Sequence, residues 1–88
     1  MTKLYKFFWD CGRQGEVEGV FTADEADVKK AMGKDVSFGE ILGKHSDVHG
    51  TLDDDDIEMI SDDPNVVKVF EDKVGPFGYN PLDYLRGN

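Results

Sequence analysis

Four of the six side chains in the segment LYKFFW (Leu4–Trp9) are aromatic. Aromatic side chains pack well on the pleated, half-buried surface of a β-strand. The turn-forming residues of Asp10–Gly15 come next, and a second run with strand character covers Glu16–Phe21. Two adjacent runs joined by a glycine-containing loop are typical of an antiparallel hairpin. We therefore predict paired strands at Leu4–Trp9 and Glu16–Phe21.

A helix is predicted directly after this hairpin. The sequence TADE (Thr22–Glu25) matches a capping box, in which the first and fourth residues bond to each other's backbone amides. The helix should cover Ala23–Met32, with acidic residues early and lysines late, as the helix dipole favours. Gly33 suits the left-handed conformation that ends many helices.

The second half of the chain contains shorter elements. We predict a strand at Asp35–Leu42 and two short strands at Val48–Leu52 and Ile57–Ile60. A second helix should begin with Asp63 as its cap and Pro64 in its first turn, and end near Val74. Its predicted apolar stripe consists of Val66, Val67, Phe70 and Val74.

This order of elements predicts an α+β fold. We expect a small two-layer sandwich, with an antiparallel sheet of four to five strands and two helices packed on one face. Residues 1–88 should form a single domain, because no linker, repeat or low-complexity segment divides them. Residues 77–88 should dock as a tail on the body, since their apolar side chains would otherwise be exposed.

The composition is that of a folded, acidic chain. Its 88 residues are 39% hydrophobic and 11% aromatic, whereas disordered acidic chains are poor in aromatic residues. The 19 acidic residues outnumber 10 lysines and arginines, giving a net charge of -9. Direct binding to nucleic acid or to an anionic membrane is therefore disfavoured, and a basic protein partner is favoured.

The single cysteine, Cys11, excludes an intramolecular disulfide and any multi-cysteine metal site. No signal peptide is visible, and the longest apolar run is Phe7–Trp9, far below the roughly 20 residues of a membrane span. We expect a soluble, cytoplasmic protein.

The most unusual segment is acidic and lies between Asp53 and Asp63. It contains seven carboxylates and no lysine or arginine, and the window His45–Asp72 contains ten acids against Lys68. That window carries the whole excess charge, because the other 60 residues sum to zero. The seven candidate partner-binding residues are Asp53, Asp54, Asp55, Asp56, Glu58, Asp62 and Asp63.

Three interpretations of this segment compete. The first is a solvated loop whose last acids favour a helix N-terminus. The second is a binding surface for a basic site of another protein, such as a nucleic-acid-binding protein whose DNA the carboxylates imitate. The third is a divalent cation site. An EF-hand loop that started at Asp53 would need glycine at position 58 and glutamate at position 64. The chain has Glu58 and Pro64 there, so the EF-hand pattern is absent.

A rival hypothesis uses His45, His49 and Cys11. The two histidines could bind a metal or a small molecule, but flanking glycines argue for a loop or strand, where residues four apart lie about 13 Å apart. Cys11 lacks the surrounding motif of a catalytic or phosphate-binding cysteine, so burial as a small hydrophobic residue is favoured.

No catalytic arrangement emerges, and no cofactor is predicted. The leading hypothesis is a non-enzymatic binding or inhibitor protein, of the class that phages and mobile elements often encode. That class is an analogy of size and charge. A structural or assembly subunit is the remaining alternative, and the sequence leaves the oligomeric state open.

Overall fold

Two long strands, β1 (Thr2–Asp10) and β2 (Glu16–Asp24), form the centre of the fold in the computed structural model, which describes residues 2–41 and 47–85. They pair antiparallel along their whole length, with Thr2 opposite Asp24 and Asp10 opposite Glu16. The predicted hairpin is therefore confirmed, and both strands are longer than expected. In the connecting turn the Asp10 carboxylate accepts a hydrogen bond from the Gly12 amide.

The strands belong to two antiparallel sheets. The main sheet has the order β5-β1-β2-β6, with β5 at Ile57–Ser61 and β6 at Phe77–Gly78. The second sheet pairs β3 (Asp35–Gly39) with β4 (Val48–Thr51). The α+β class and the four-stranded antiparallel sheet are thus as predicted. The third strand, however, ends at Gly39 and joins the second sheet, and Leu42 lies outside the described residues.

Helix α1 (Glu25–Ala31) begins later than the capping box predicted. Asp24, not Thr22, is the cap, and its side chain accepts a hydrogen bond from the Ala26 amide. The cause is the length of β2, which continues through Thr22 and keeps that residue in the sheet. Gly33 follows with a φ of +82°, which confirms the predicted left-handed stop.

Helix α2 (Pro64–Lys73) begins as the sequence indicates. The Asp63 side chain accepts a hydrogen bond from the Asn65 amide, and Pro64 occupies the first turn. None of the helices in the described parts of the chain is long or apolar enough to cross a membrane.

The two helices contact opposite faces of the main sheet. Side chains alternate along a strand, so Tyr5 and Phe7 of β1 point to one face and Leu4 to the other. Val28 of α1 belongs to the same buried cluster as Tyr5 and Phe7, whereas Leu4 and Val67 of α2 are buried outside that cluster. This differs from the expected placement of both helices on one face. The second sheet fills the space beside α1 on the face that contains Tyr5 and Phe7. Helix α2 therefore packs on the opposite face, which contains Leu4.

The main core lies on the α1 face of the sheet. Phe38 of β3 lies at its centre. The ring centroid of Phe38 is between 4.7 and 5.7 Å from the ring centroids of four other aromatic residues, Phe7, Trp9, Tyr79 and Tyr84. Phe7 is fully buried, and burial of a side chain of this size stabilises the fold by about 1.5–3 kcal/mol. The buried cluster consists of Tyr5, Phe7, Val17, Phe21, Val28, Ala31, Val36, Phe38, Val48, Leu52 and Ile57.

On the opposite face, α2 covers the sheet incompletely. Of its predicted apolar stripe only Val67 is buried, while Phe70 is half-buried and Val66 and Val74 are exposed. Among the described elements α2 contacts chiefly β1, and the buried part of its apolar stripe is therefore narrower than predicted.

The segment after α2 contacts both sheets. Strand β6 pairs with β2 through Gly19 and Gly78, and Leu85 forms an isolated bridge with Val36. A Cβ atom at Gly19 would overlap the backbone of Tyr79. The absence of a side chain at Gly19 therefore allows this segment to approach β2 closely.

Candidate functional site

The seven predicted carboxylates lie along one edge of the main sheet. Asp53–Asp56 form a 3₁₀ turn with its cap, Glu58 lies on β5, and Asp62 and Asp63 precede α2. Strand β5 is the outermost strand and pairs only with β1 among the described residues. We call this set, from Asp53 to Asp63, the acidic edge. No member is buried, and only Asp56 is half-buried.

Three members of the acidic edge have a structural role. Asp53 and Asp56 form a reciprocal capping box at the 3₁₀ turn, in which the Asp56 carboxylate accepts a hydrogen bond of 2.8 Å from the Asp53 amide. Asp63 caps α2. The interpretation of these acids as turn and helix-start residues therefore holds at these three positions.

Three other members have no such role. Within residues 2–41 and 47–85, the carboxylates of Asp54, Asp55 and Glu58 form no hydrogen bond and no ion pair. Lys6 is the cross-strand neighbour of Glu58, and it too forms no ion pair with a described residue. Close, unpaired like charges repel one another, and a cationic partner would relieve that repulsion.

A cleft of about 530 Å³ opens where the acidic edge begins. It brings Asp53 and Asp56 together with two further acids, Asp10 and Asp47. Its described lining contains no lysine or arginine, and consists of Trp9, Asp10, Cys11, Asp47, Val48, His49, Gly50, Thr51, Asp53 and Asp56. The local charge thus favours a cation in the cleft.

The sequence did not indicate Asp10 and Asp47 as site residues. Asp10 ends β1, and it reaches the cleft because β1 pairs with β5 through Phe7 opposite Ile57. Asp47 directly precedes β4. Had the pairing of β1 with β5 been predicted, the position of Asp10 near Asp53 would have followed from the register.

Trp9 forms a rigid wall of the same cleft. Its ring contacts Phe7 and Phe38 in edge-on geometry, with centroid distances of 5.2 and 5.6 Å. A guanidinium or ammonium group that reached the face of this ring would be attracted to the ring and to the neighbouring carboxylates. The predicted acidic segment therefore continues into a cleft suited to a basic side chain.

Nine carboxylates line the cleft or belong to the acidic edge, namely the seven predicted ones together with Asp10 and Asp47. No protein family, curated protein or solved structure matches this chain. Charge and geometry are consequently the properties that bear on function.

The residues of the rival hypothesis are brought together only in part. Cys11 and His49 line the cleft, and His45 lies outside the described residues. No group of three or more histidine, cysteine or acidic side chains is arranged to hold a metal ion in the described part of the chain. Cys11 is half-buried and packs against the main core.

Among the described residues, shifted pKa values occur toward the opposite end of β1. Lys3 and Glu25 form a salt bridge of 3.1 Å, whose hydrogen bond raises the pKa of Lys3 and lowers the pKa of Glu25. The Ala26 amide lowers the pKa of Asp24, and burial raises the pKa of Tyr5. Lys3, Asp24 and Glu25 lie at the junction of β2 and α1.

Proposed function

We propose that this chain is a non-enzymatic binding protein that docks the acidic edge and the adjoining cleft onto a basic site of another protein. The observation that carries the proposal is a cleft lined by four carboxylates, two of which begin the acidic edge. Only three of the seven acids in the acidic edge, Asp53, Asp56 and Asp63, are explained by turn or helix capping. The cytoplasm is the compartment we propose for this interaction, on the basis of the single cysteine.

The partner class that fits this surface best is a nucleic-acid-binding protein. Such proteins carry lysine and arginine clusters that neutralise phosphates, and duplex DNA presents one charge per about 1.7 Å of its axis. The acidic edge presents seven carboxylates within one short segment, along an extended strand and the turns at both ends. It would compete with nucleic acid for the basic site, as an inhibitor of phage or mobile-element type does.

Neutralising the first part of the acidic edge tests this proposal. We would immobilise the protein, capture partners from its native host at low salt and elute them with a salt gradient. The variant Asp53→Asn, Asp54→Asn, Asp55→Asn, Asp56→Asn should lose the salt-eluted partner. Asparagine at position 56 keeps an oxygen that accepts from the Asp53 amide, so the turn should persist.

A matched control removes the same charge elsewhere. The variant Glu18→Gln, Asp27→Asn, Asp72→Asn, Asp83→Asn neutralises four exposed acids outside the acidic edge and the cleft. In the salt gradient it should retain the partner up to near-physiological salt, where charges more than a Debye length of about 8 Å from the contact are screened. Equal loss from both variants would show that net charge alone drives capture, and equal retention would refute the proposal.

A further inference from the structure

The outer edge of β5 is a second feature of the same surface. In the described structure no strand pairs with this edge, so the backbone amides and carbonyls of alternate residues within Ile57–Ser61 face outward. Met59 and Ile60 are 47% and 48% exposed. An apolar strand edge without a neighbour is a template for another strand.

Charge determines which strand could occupy it. If a second copy paired antiparallel through β5, Asp53–Asp56 of one copy would lie beside Asp62 and Asp63 of the other. Parallel pairing would place identical acids side by side. Both arrangements oppose like charges, which is destabilising across paired strands.

We propose that β5 accepts an extended basic segment of the partner as an added antiparallel or parallel strand. Its apolar centre would contact Met59 and Ile60, and lysine or arginine at its ends would face the Asp53–Asp56 turn and Asp62. Strand addition of this kind derives affinity from backbone hydrogen bonds and specificity from alternate side chains. This inference rests on the proposed function and names the chemistry of its partner.

The geometry of β5 also limits the length of this added strand. The pairing of β1 with β5 shifts register between Leu4 and Tyr5, so Ile60 is an extra, bulged residue opposite them. Bulges bend an edge strand and oppose uncontrolled edge-to-edge pairing. A short extended segment can therefore pair with β5, whereas a long sheet edge cannot.

Synthetic peptides can separate strand addition from simple charge attraction. The probe is a short peptide with a Val-Thr repeat between paired lysines. Two N-methylated analogues, which are isomers of each other, carry the methyl groups on alternate residues in the two possible phases. All three peptides have the same charge, but for a given strand direction and face the amides that face β5 are blocked in only one isomer.

We expect the unmethylated peptide and one isomer to bind, and the other isomer to bind at least about tenfold more weakly, because it loses two or more hydrogen bonds. Nuclear Overhauser contacts should connect the bound peptide to the backbone of Ile57–Ser61. Equal binding of all three peptides without these contacts would overturn strand addition while leaving the acidic edge as a binding surface. Equal binding with the contacts would support strand addition, with the two methylated peptides paired in opposite directions. No binding at low salt would overturn it as well.

The salt dependence of the same titration reports on the proposed function separately. Binding that weakens with salt supports the acidic edge, and methylation sensitivity supports strand addition. If N-methylation weakened binding but salt had no effect, β5 would still pair with a strand. The requirement for a basic segment and the proposed function would then both be refuted.

A substitution gives predictions of opposite sign. Ile60→Glu adds a carboxylate to the acidic edge, so charge attraction alone predicts tighter peptide binding. Strand addition predicts weaker binding, because the apolar contact is lost. Val69→Glu, at a residue of α2 that is 58% exposed, adds the same charge outside β5 as a control. Circular dichroism of both variants verifies the fold, and tighter binding by Ile60→Glu would overturn the inference.

Discussion

The hydroxyl of Thr22 donates a hydrogen bond of 3.0 Å to Oε2 of Glu71, and this contact joins β2 to α2. Its ends lie 49 residues apart in the sequence. The Thr22 hydroxyl makes this contact instead of the capping interaction with Glu25 that the sequence predicts. The contact is partly exposed, so its contribution to stability should be modest.

Thr22→Val should lower the free energy of unfolding by about 0.5–1.5 kcal/mol, because the hydrogen bond to Glu71 is lost while the side-chain shape is kept. Thr22→Ser keeps the hydroxyl and should retain most of that stability. Urea denaturation measures both variants. If Val and Ser at this position destabilised equally, the hydrogen bond would not be the cause.

Asp63→Ala should destabilise the protein by about 1 kcal/mol, because it removes the cap of α2. Its neighbour is the matched control, since Asp62 caps no helix, and Asp62→Ala should change stability by no more than about 0.5 kcal/mol. Asp63→Asn should restore the cap. Thermal and urea unfolding of the three variants would refute the assignment if Asp62→Ala were the more harmful.

Gly19→Ala should destabilise the fold by about 1–3 kcal/mol, because the new methyl group would overlap the backbone of Tyr79. Gly50→Ala is the control, since its Cβ would only reach the Trp9 ring at an ordinary contact distance of 3.4 Å. Amide exchange should increase at Phe77–Tyr79 in the Gly19 variant. Unchanged exchange there would contradict the close approach.

The salt bridge between Lys3 and Glu25 should make stability depend on pH. The folded pKa of Glu25 lies below its ordinary value of 4.5, so the stabilisation is present above pH 4.5 and is lost as pH falls through the folded pKa. The folded pKa of Lys3 is raised above 10.5, so its part is lost as pH rises beyond that value. Glu25→Gln should therefore be less stable than wild type at neutral pH and equal to it in strong acid.

A double-mutant cycle of Lys3→Met and Glu25→Gln checks the assignment. The two substitutions should be non-additive at pH 7 and additive in strong acid. Additivity at both pH values would show that the pair contributes nothing to stability.

The elements with local signals were predictable. The hairpin of β1 and β2 and the start of α2 depend on aromatic runs, turn residues and the Asp63-Pro64 pair, which act within a few residues. The start of α1 was not predictable, because both Thr22 and Asp24 are good helix caps. The pairing of Asp24 with Thr2 determines that Asp24 is the one used.

The candidate site was predictable as a segment but not as a surface. Asp53–Asp63 is conspicuous in the sequence, whereas the contributions of Asp10 and Asp47 depend on contacts between β1, β4 and β5. Periodicity within one strand contains no information about which distant strand becomes its neighbour. The distribution of α1 and α2 on opposite faces was missed for the same reason.

The pairing of β1 with β5 has a kinetic consequence. Phe7 must find Ile57, 50 positions later, and closing a loop of that length costs roughly 3.5 kcal/mol in chain entropy before any contact rewards it. The β1–β2 hairpin closes a far shorter loop, so it should form first during folding and β5 later. A full-length but partly folded chain would hence carry all of its negative charges without the ordered edge of β5. A partner that binds the acidic edge would then bind the folded protein and not its partly folded precursors.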